Sequence, residues 1–248
     1  MGGALLARWL AEDMGPVAVI DPMAKNIPPG VAVSANAPLG RPDVLVIAVK
    51  PQLWHAAVAP FADRIGPTTL VVSIMAGVAI ADLARVFGNS AIIRAMPNTP
   101  AAIGRGVTAI YTEAGEMAQS AADAVFSAAG ATVWLTNETE FDAVTAVSGS
   151  GPAYVFAFIE ALTTAGMVAG LAPALAEQLA RSTVIGAAAL AASDSASAAE
   201  LRCRVTSPGG TTAAGLAVLQ PGLLPLVTAA VEAAAARSRA LGQVLDNR

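Results

Sequence analysis

Residues 207–212 read Ser-Pro-Gly-Gly-Thr-Thr, a tight turn rich in glycine and hydroxyls. Proline fixes φ and the two glycines admit positive φ, so the chain can fold back sharply here. The threonines can cap a helix over Ala213 to Leu219, whose first amides have no partner inside the helix. Backbone N–H groups around Gly210 to Thr212 then form a site for an anion such as a carboxylate. A plain capping turn could carry the same six residues, so this stretch alone decides nothing. Its chemistry needs no histidine, thiol or metal, and the chain has one histidine, His55, and one cysteine, Cys203.

Other turns could approach a ligand. Val49-Lys50-Pro51 follows a β-branched run, and Met96-Pro97-Asn98-Thr99-Pro100 follows another. In a doubly wound sheet, strand ends of this kind face the cofactor crevice. A surface lysine before a helix-starting proline, or an asparagine in a turn, would read the same way. Ser148-Gly149-Ser150-Gly151-Pro152 precedes a helix with proline in its first turn, which suits close approach of backbone or a plain interhelical kink. His55 is the first suspect for acid–base work by type. It reads as non-catalytic. Cys203 has no visible partner base and reads as a partly buried small residue.

VTSPGGTTAAGL resembles the hallmark motif of the pyrroline-5-carboxylate reductase family, and four further segments resemble that family in order. They are MGGALL at 1–6, AVKPQ at 48–52, MPNTPAAIGRG at 96–106 and SGSGPAYVF at 148–156. The resemblance implies reduction of 1-pyrroline-5-carboxylate to L-proline with NADP or NAD, the last step of proline biosynthesis. It places Thr212 near the substrate's ring nitrogen, with Ser207 ordering the loop, as the catalytic pair. Gly209, Gly210, Thr211 and Thr212 would hold the substrate. Gly2, Asp21, Val49, Lys50, Pro51, Asn98 and Ser150 would hold the cofactor, with Asn98 beside the nicotinamide. It also implies an interlocked homodimer or higher homo-oligomer, with the active site at the dimer contact. Family members often carry an acidic residue a few positions before Leu201. Asp194 and Glu200 both stand near that place, and no acidic role is assigned.

The elements that must position these residues fall into two groups. Val17 to Ile20, Val44 to Val49, Leu70 to Ile74, Ala91 to Met96, Val107 to Tyr111 and Thr132 to Leu135 read as strands. Ala4 to Glu12, Leu53 to Arg64, Ile80 to Phe87 and Glu113 to Ala129 read as helices between them. The alternation predicts a parallel sheet with crossover helices. After Asn137 no strand is convincing. Helical patterns run over Glu138 to Val147, Pro152 to Ala169, Pro173 to Ala192, Ala213 to Leu219 and Leu223 to Gln243. The expected class is α/β plus all-α: a Rossmann-like NAD(P)-binding domain over 1–136 and a helical dimerisation and substrate-binding domain over 137–248.

The dinucleotide fingerprint is strand, G-x-G-x-x-G, helix. Here Met1-Gly2-Gly3 gives only its tail, with Gly2 as the last glycine, and the first strand is missing. That strand is central in the order 3-2-1-4-5-6, so its loss exposes two strand edges. The expectation is a chain shortened by about ten residues, one strand and the turn after it. Asp21, at the end of the next strand, is where an acidic residue meets a ribose hydroxyl. A carboxylate there leans toward NADH, whereas the family often prefers NADPH.

Composition bounds the rest. The 248 residues are 55% apolar, only 4% aromatic, with net charge −4 and mean hydropathy +0.62. No basic run suggests a nucleic-acid partner. The apolar stretch from Val155 to Ala176 is interrupted by Glu160 and Pro173, so oligomer-forming helices explain the hydropathy better than a membrane span. There is no signal-peptide pattern, and a single cysteine suits the cytoplasm. A hydroxy-acid dehydrogenase would need a lysine in the helical domain; the only lysines are Lys25 and Lys50. The remaining rival is a non-catalytic paralogue or inactive shortened product of the same fold.

Overall fold

The computed structural model describes residues 1–24, 27–34 and 40–246. The chain divides into two compact units. One holds Met1–Ser150 and the chain from Ala233 onward, and the other holds Gly151–Glu232.

The first unit is built on strands. Helix α1 (Gly2–Ala11) precedes β1 (Ala18–Ile20) and β2 (Ala32–Ser34), a short strand without a sequence signal, which pairs parallel with β1. A five-stranded sheet follows in the order β3-β4-β5-β6-β7: Val44–Ile47, Leu70–Ser73, Ala91–Pro97, Gly106–Tyr111 and Gly130–Trp134. Helices α2 (Trp54–Val58), α3 (Ile80–Phe87) and α4 (Glu116–Ser127) connect these strands.

One departure concerns direction. β5 and β6 run antiparallel, whereas the other neighbours are parallel. The link between them is a single-turn helix, Thr99–Ile103, and a parallel crossover needs about a dozen residues or more. The sheet is therefore mixed. β4 is buried along its whole length because both faces are covered. Val71 packs with Ile47, Leu83 and Phe87 on one side, and Leu70 and Val72 pack with Leu5, Ile93 and Phe126 on the other. Helix α1 is tied to α4 on that second side: Arg8 Nε donates to the Ala128 carbonyl at 2.9 Å, and Trp9 Nε1 to the Val125 carbonyl at 2.7 Å.

The two sheets do not join. In the order 3-2-1-4-5-6, the pair β2-β1 takes the places 3-2 and β3-β4-β5 the places 4-5-6. Among the described residues, no strand occupies the first-strand place between β1 and β3.

The second unit is helical, with α6 (Gly151–Val168), α7 (Pro173–Ser193), α8 (Ala198–Arg204) and the first part of α9 (Thr211–Asp246). Helices α6 and α7 meet over small residues: a Cβ on Gly166 would lie 3.3 Å from Ala176 Cβ. Two expectations are corrected here. The separate helices Ala213 to Leu219 and Leu223 to Gln243 are one 36-residue helix that runs through Pro221 and Pro225. Each proline removes one N–H donor, and the surrounding turns carry the helix through. Residues 198–204, left unassigned, form α8, started by a capping box in which Ser197 accepts from Glu200 N–H and Glu200 from Ser197 N–H.

Cys203 is exposed on α8 rather than partly buried. By length and composition alone, the helical runs Glu138–Val168 and Thr211–Gln243 are long and apolar enough to cross a membrane. Of the two interruptions counted against Val155 to Ala176, Glu160 lies within the first run and Pro173 lies outside both.

Candidate active site

The parallel strands bring their C-terminal ends to one edge, and most cofactor candidates sit there. Val49 and Lys50 are exposed just beyond β3, and Pro51 starts a short helical turn with Lys50 as its cap. Leu53 N–H closes that turn on the Lys50 carbonyl at 2.9 Å. Gly2 lies in the first turn of α1, where a Cβ would come 2.9 Å from Ala48 Cβ at the end of β3. That close approach of helix to strand is what the last glycine of the fingerprint provides. Asp21 follows β1, and its Oδ1 accepts the Met23 N–H at 2.8 Å, so the carboxylate is held in a local turn at the sheet edge.

Asn98 follows β5 and is 8% exposed. Both ends of its amide have protein partners. Oδ1 accepts the Val107 N–H at 3.0 Å, and Nδ2 lies 3.3 Å from the Ser148 carbonyl and 3.4 Å from Ser148 Oγ. The expected helix over 138–147 is finer than its pattern suggested. It is a helical turn at Glu138–Glu140, then α5 (Phe141–Val144), then a π-helical turn at Thr145–Gly149 that ends at Ser150. Ser150 N–H donates to the Thr145 carbonyl at 2.8 Å.

A charged brace lies under this segment. Arg94, 8% exposed on β5, reaches Glu138 Oε1 with Nη1 at 2.8 Å and stands 4.3 Å over the Phe141 ring. The same Glu138 oxygen accepts the Ile80 N–H at 2.8 Å, so one carboxylate caps α3 and neutralises a buried cation. Sequence reading found neither Arg94 nor Glu138, and it named Ser148 only as part of the 148–152 turn, since the paired residues lie 44 and 50 positions apart. An arginine inside an otherwise apolar strand was the one available signal.

The end of the chain returns to this unit. Ser238 Oγ donates to Asp142 Oδ1 at 2.6 Å, and a Cβ on Gly77 would lie 2.9 Å from Gly242 Cα. Helix backbone and the loop after β4 thus touch through two glycines.

The 207–212 loop belongs to the helical unit. Gly209 has φ 71°, and a Cβ on Gly210 would collide with Ser207 Oγ, so both glycines are required by the turn. Gly210 N–H closes it on the Ser207 carbonyl at 3.1 Å. Helix α9 starts at Thr211, and Ala214 N–H is bonded to the Gly210 carbonyl at 3.1 Å. The amides of Thr211, Thr212 and Ala213 precede that bond and have no carbonyl within the helix. Ser207, Thr211 and Thr212 are exposed. The two acidic candidates have local work: Asp194 pairs with Arg204 at 2.6 Å, and Glu200 caps α8. His55 is exposed and stacks on Trp54 with ring centroids 3.8 Å apart.

Comparison with known proteins places this geometry. Residues 138–241 match the family described as pyrroline-5-carboxylate reductase dimerisation. The pyrroline-5-carboxylate reductase of Synechocystis sp. is 42% identical across 98% of this chain and 95% of its own length. The chain belongs to the pyrroline-5-carboxylate reductase family. A second relative, from Pseudomonas aeruginosa, is 43% identical over 82% of this chain and 76% of its own. Two solved structures extend the likeness to the fold. That of the Coxiella burnetii reductase has a TM-score of 0.89 at 32% identity, covering 96% of this chain and 93% of that one. The Plasmodium falciparum pyrroline carboxylate reductase, solved with NADP bound, has a TM-score of 0.85 at 29% identity over 98% and 94%. The family's fold is the one seen here: a Rossmann-like sheet followed by the helical dimerisation domain.

Proposed function

We infer that this chain is an NAD(P)H-dependent oxidoreductase that reduces 1-pyrroline-5-carboxylate to L-proline, the final step of proline biosynthesis. The observation that carries the reading is the 207–212 loop, whose glycines, hydroxyls and open α9 amides suit a cyclic imine bearing a carboxylate. The amides of Thr211, Thr212 and Ala213 face no internal acceptor, so a substrate carboxylate there gains hydrogen bonds and the helix dipole at once. The Thr212 hydroxyl holds the ring nitrogen as it gains its proton, and Ser207 fixes the turn from beneath Gly210. The dinucleotide supplies the hydride that the C=N carbon accepts.

The first unit fits that cofactor at the sheet edge: Gly2 lets α1 approach β3, Asp21 stands at the ribose position, and Val49, Lys50, Pro51 and Ser150 border the same edge. The domain division at 1–136 and 137–248 gives the substrate loop and Ser150 to the second domain and the other cofactor residues to the first. NADPH and NADH remain to be ranked by direct comparison, since Asp21 favours the second and the Plasmodium relative carries the phosphorylated form. The helical unit makes a homodimer or a higher homo-oligomer, and the compartment is the cytoplasm. The partners are the imine and the nucleotide; neither nucleic acid nor membrane is one.

The assay is oxidation of NADPH and of NADH with pyrroline-5-carboxylate. Thr212→Ala is expected to lower kcat by about 100-fold with little change in cofactor affinity. Unchanged turnover removes Thr212 from the mechanism. Turnover with neither NADPH nor NADH withdraws the reductase reading.

A further inference from the structure

The π-helical turn at Thr145–Gly149 needs an account. Such turns are rare, less favourable than an α-helical turn, and frequent beside functional sites. In an α-helix the Ser148 carbonyl would receive the N–H of residue 152, and residue 152 is proline, which has none. Asn98 Nδ2 meets that carbonyl instead, at 3.3 Å, and Ser148 Oγ at 3.4 Å. The donor is itself fixed, because Oδ1 on the same amide is bonded to the Val107 N–H of β6. At the other end of the segment, Glu138 is fastened to Arg94 of β5 and to the first amide of α3. Residues 138–150 are thus pinned at one end to the middle of β5 and the start of α3, and at the other to the turn just after β5. A fully engaged, 8% exposed amide suits holding protein better than reaching a ligand.

We propose that Asn98 is a positioning residue for the reduction, acting through Ser148 to hold the 148–150 turn against the cofactor edge. The inference rests on the reductase reading. Asn98→Asp keeps the size and the acceptor for Val107 but removes the donor to Ser148. Ser148→Ala removes only the hydroxyl partner.

The test is a kinetic double-mutant cycle on the full chain with NADPH and pyrroline-5-carboxylate, read beside thermal melts. A displaced turn is expected to lower kcat by about tenfold or more in Asn98→Asp. The KM for NADPH should change less than about threefold, since no direct cofactor contact is lost. Adding Ser148→Ala should cost little further, because both changes break one link. Effects that multiply, or a loss confined to the cofactor KM, overturn the proposal. So does a lowered Tm with parental kcat. Asn98→Ala takes the place of Asn98→Asp if the latter does not fold. A parent chain without activity counts against the reductase reading alone. Amide exchange then decides the brace: faster exchange over 145–150 in Asn98→Asp at unchanged Tm supports it, and equal exchange overturns it.

Discussion

The two units use apolar residues in opposite ways. In the first, Val71, Val72, Leu83, Ile93, Ile110 and Phe126 are fully buried, and two clusters close both faces of the sheet. In the second, α6 buries no residue, and α7 buries only Ala176 and Ala180. Phe156, Ile185, Leu190, Val218, Leu224 and Leu226 stand between 50% and 84% exposed. The first unit builds a closed core within the chain, though Leu53, Ile103 and Met117 stay exposed at its surface. The second satisfies only the small residues at the α6–α7 crossing and leaves its large ones for another molecule. Membership in the family and the match of residues 138–241 to its dimerisation domain supply the occupant: a second copy of the same helices. Full burial of each large side chain contributes about 1.5–3 kcal/mol, so an interface assembled from several dominates the stability of this unit.

The sharpest way to break the contrast is to place a charge on the open face. Ile185→Asp and Leu224→Asp, made singly, should each weaken self-association by about 100-fold or more, since an apolar contact is lost and a carboxylate is buried unpaired. Light scattering across a dilution series reads this directly. A mass that stays at the parental value would mean that another face holds the copies together.

Next in size is a comparison of two ion pairs. Arg94 and Glu138 are 10% and 24% exposed at their side chains, whereas Arg204 and Asp194 are 59% and 30% exposed. Removing one partner of a buried pair strands the other, so Glu138→Ala should cost about 3 kcal/mol. Asp194→Ala should cost less than about 1 kcal/mol, because water already screens that pair. Chemical denaturation of both variants checks the ranking, and equal losses would show that Arg94 finds another partner.

How much of this was legible in the sequence follows the same division. The β-branched runs at 44–49, 70–74 and 91–96 announced β3, β4 and β5; in β4 and β5 burial on both faces demands continuous apolar side chains. β2 was missed: at Ala32–Ser34 it is three residues long, and its pairing with β1 is set by tertiary context. The antiparallel turn at β6 was implicit in the short link after Pro97, a length argument that the strand–helix alternation concealed. The gap between Leu219 and Leu223, which holds Pro221, read as a break, yet α9 runs on through it, since propensity yields when the rest of a long helix is in place. The candidate turns were visible as motifs. The ties that fix them, Arg94 to Glu138 and Asn98 to Ser148, were not, because no local pattern links residues so far apart.

Glycine tests the two units at a smaller scale. Gly77 has φ +75°, and a Cβ there meets Gly242 Cα at 2.9 Å, so Gly77→Ala should destabilise by about 2 kcal/mol through backbone strain and collision. Gly186 lies inside α7 with nothing within 4 Å of a built Cβ. Gly186→Ala should therefore stabilise by about 0.5–1 kcal/mol, as alanine does in a helix interior. Thermal melts report both signs. A destabilised Gly186→Ala protein would place this glycine under the partner's helix and so sharpen the map of the interface.

The smallest expected effect concerns the exposed cap of α8. The Ser197 hydroxyl and backbone N–H bond the Glu200 carboxylate at 2.8 and 2.7 Å and lower its pKa below the ordinary glutamate value. These bonds favour the charged form, so their contribution is present above the unfolded pKa and fades as pH falls through the folded one. Acidification should thus loosen the start of α8, where the chain leads toward the 207–212 loop. Ser197→Ala keeps the backbone donor and removes the hydroxyl, so a carboxyl titration by NMR should show the Glu200 pKa moving up. A pKa that does not move would assign the whole shift to the Ser197 N–H, and the acid response of α8 would then be independent of the side chain at 197.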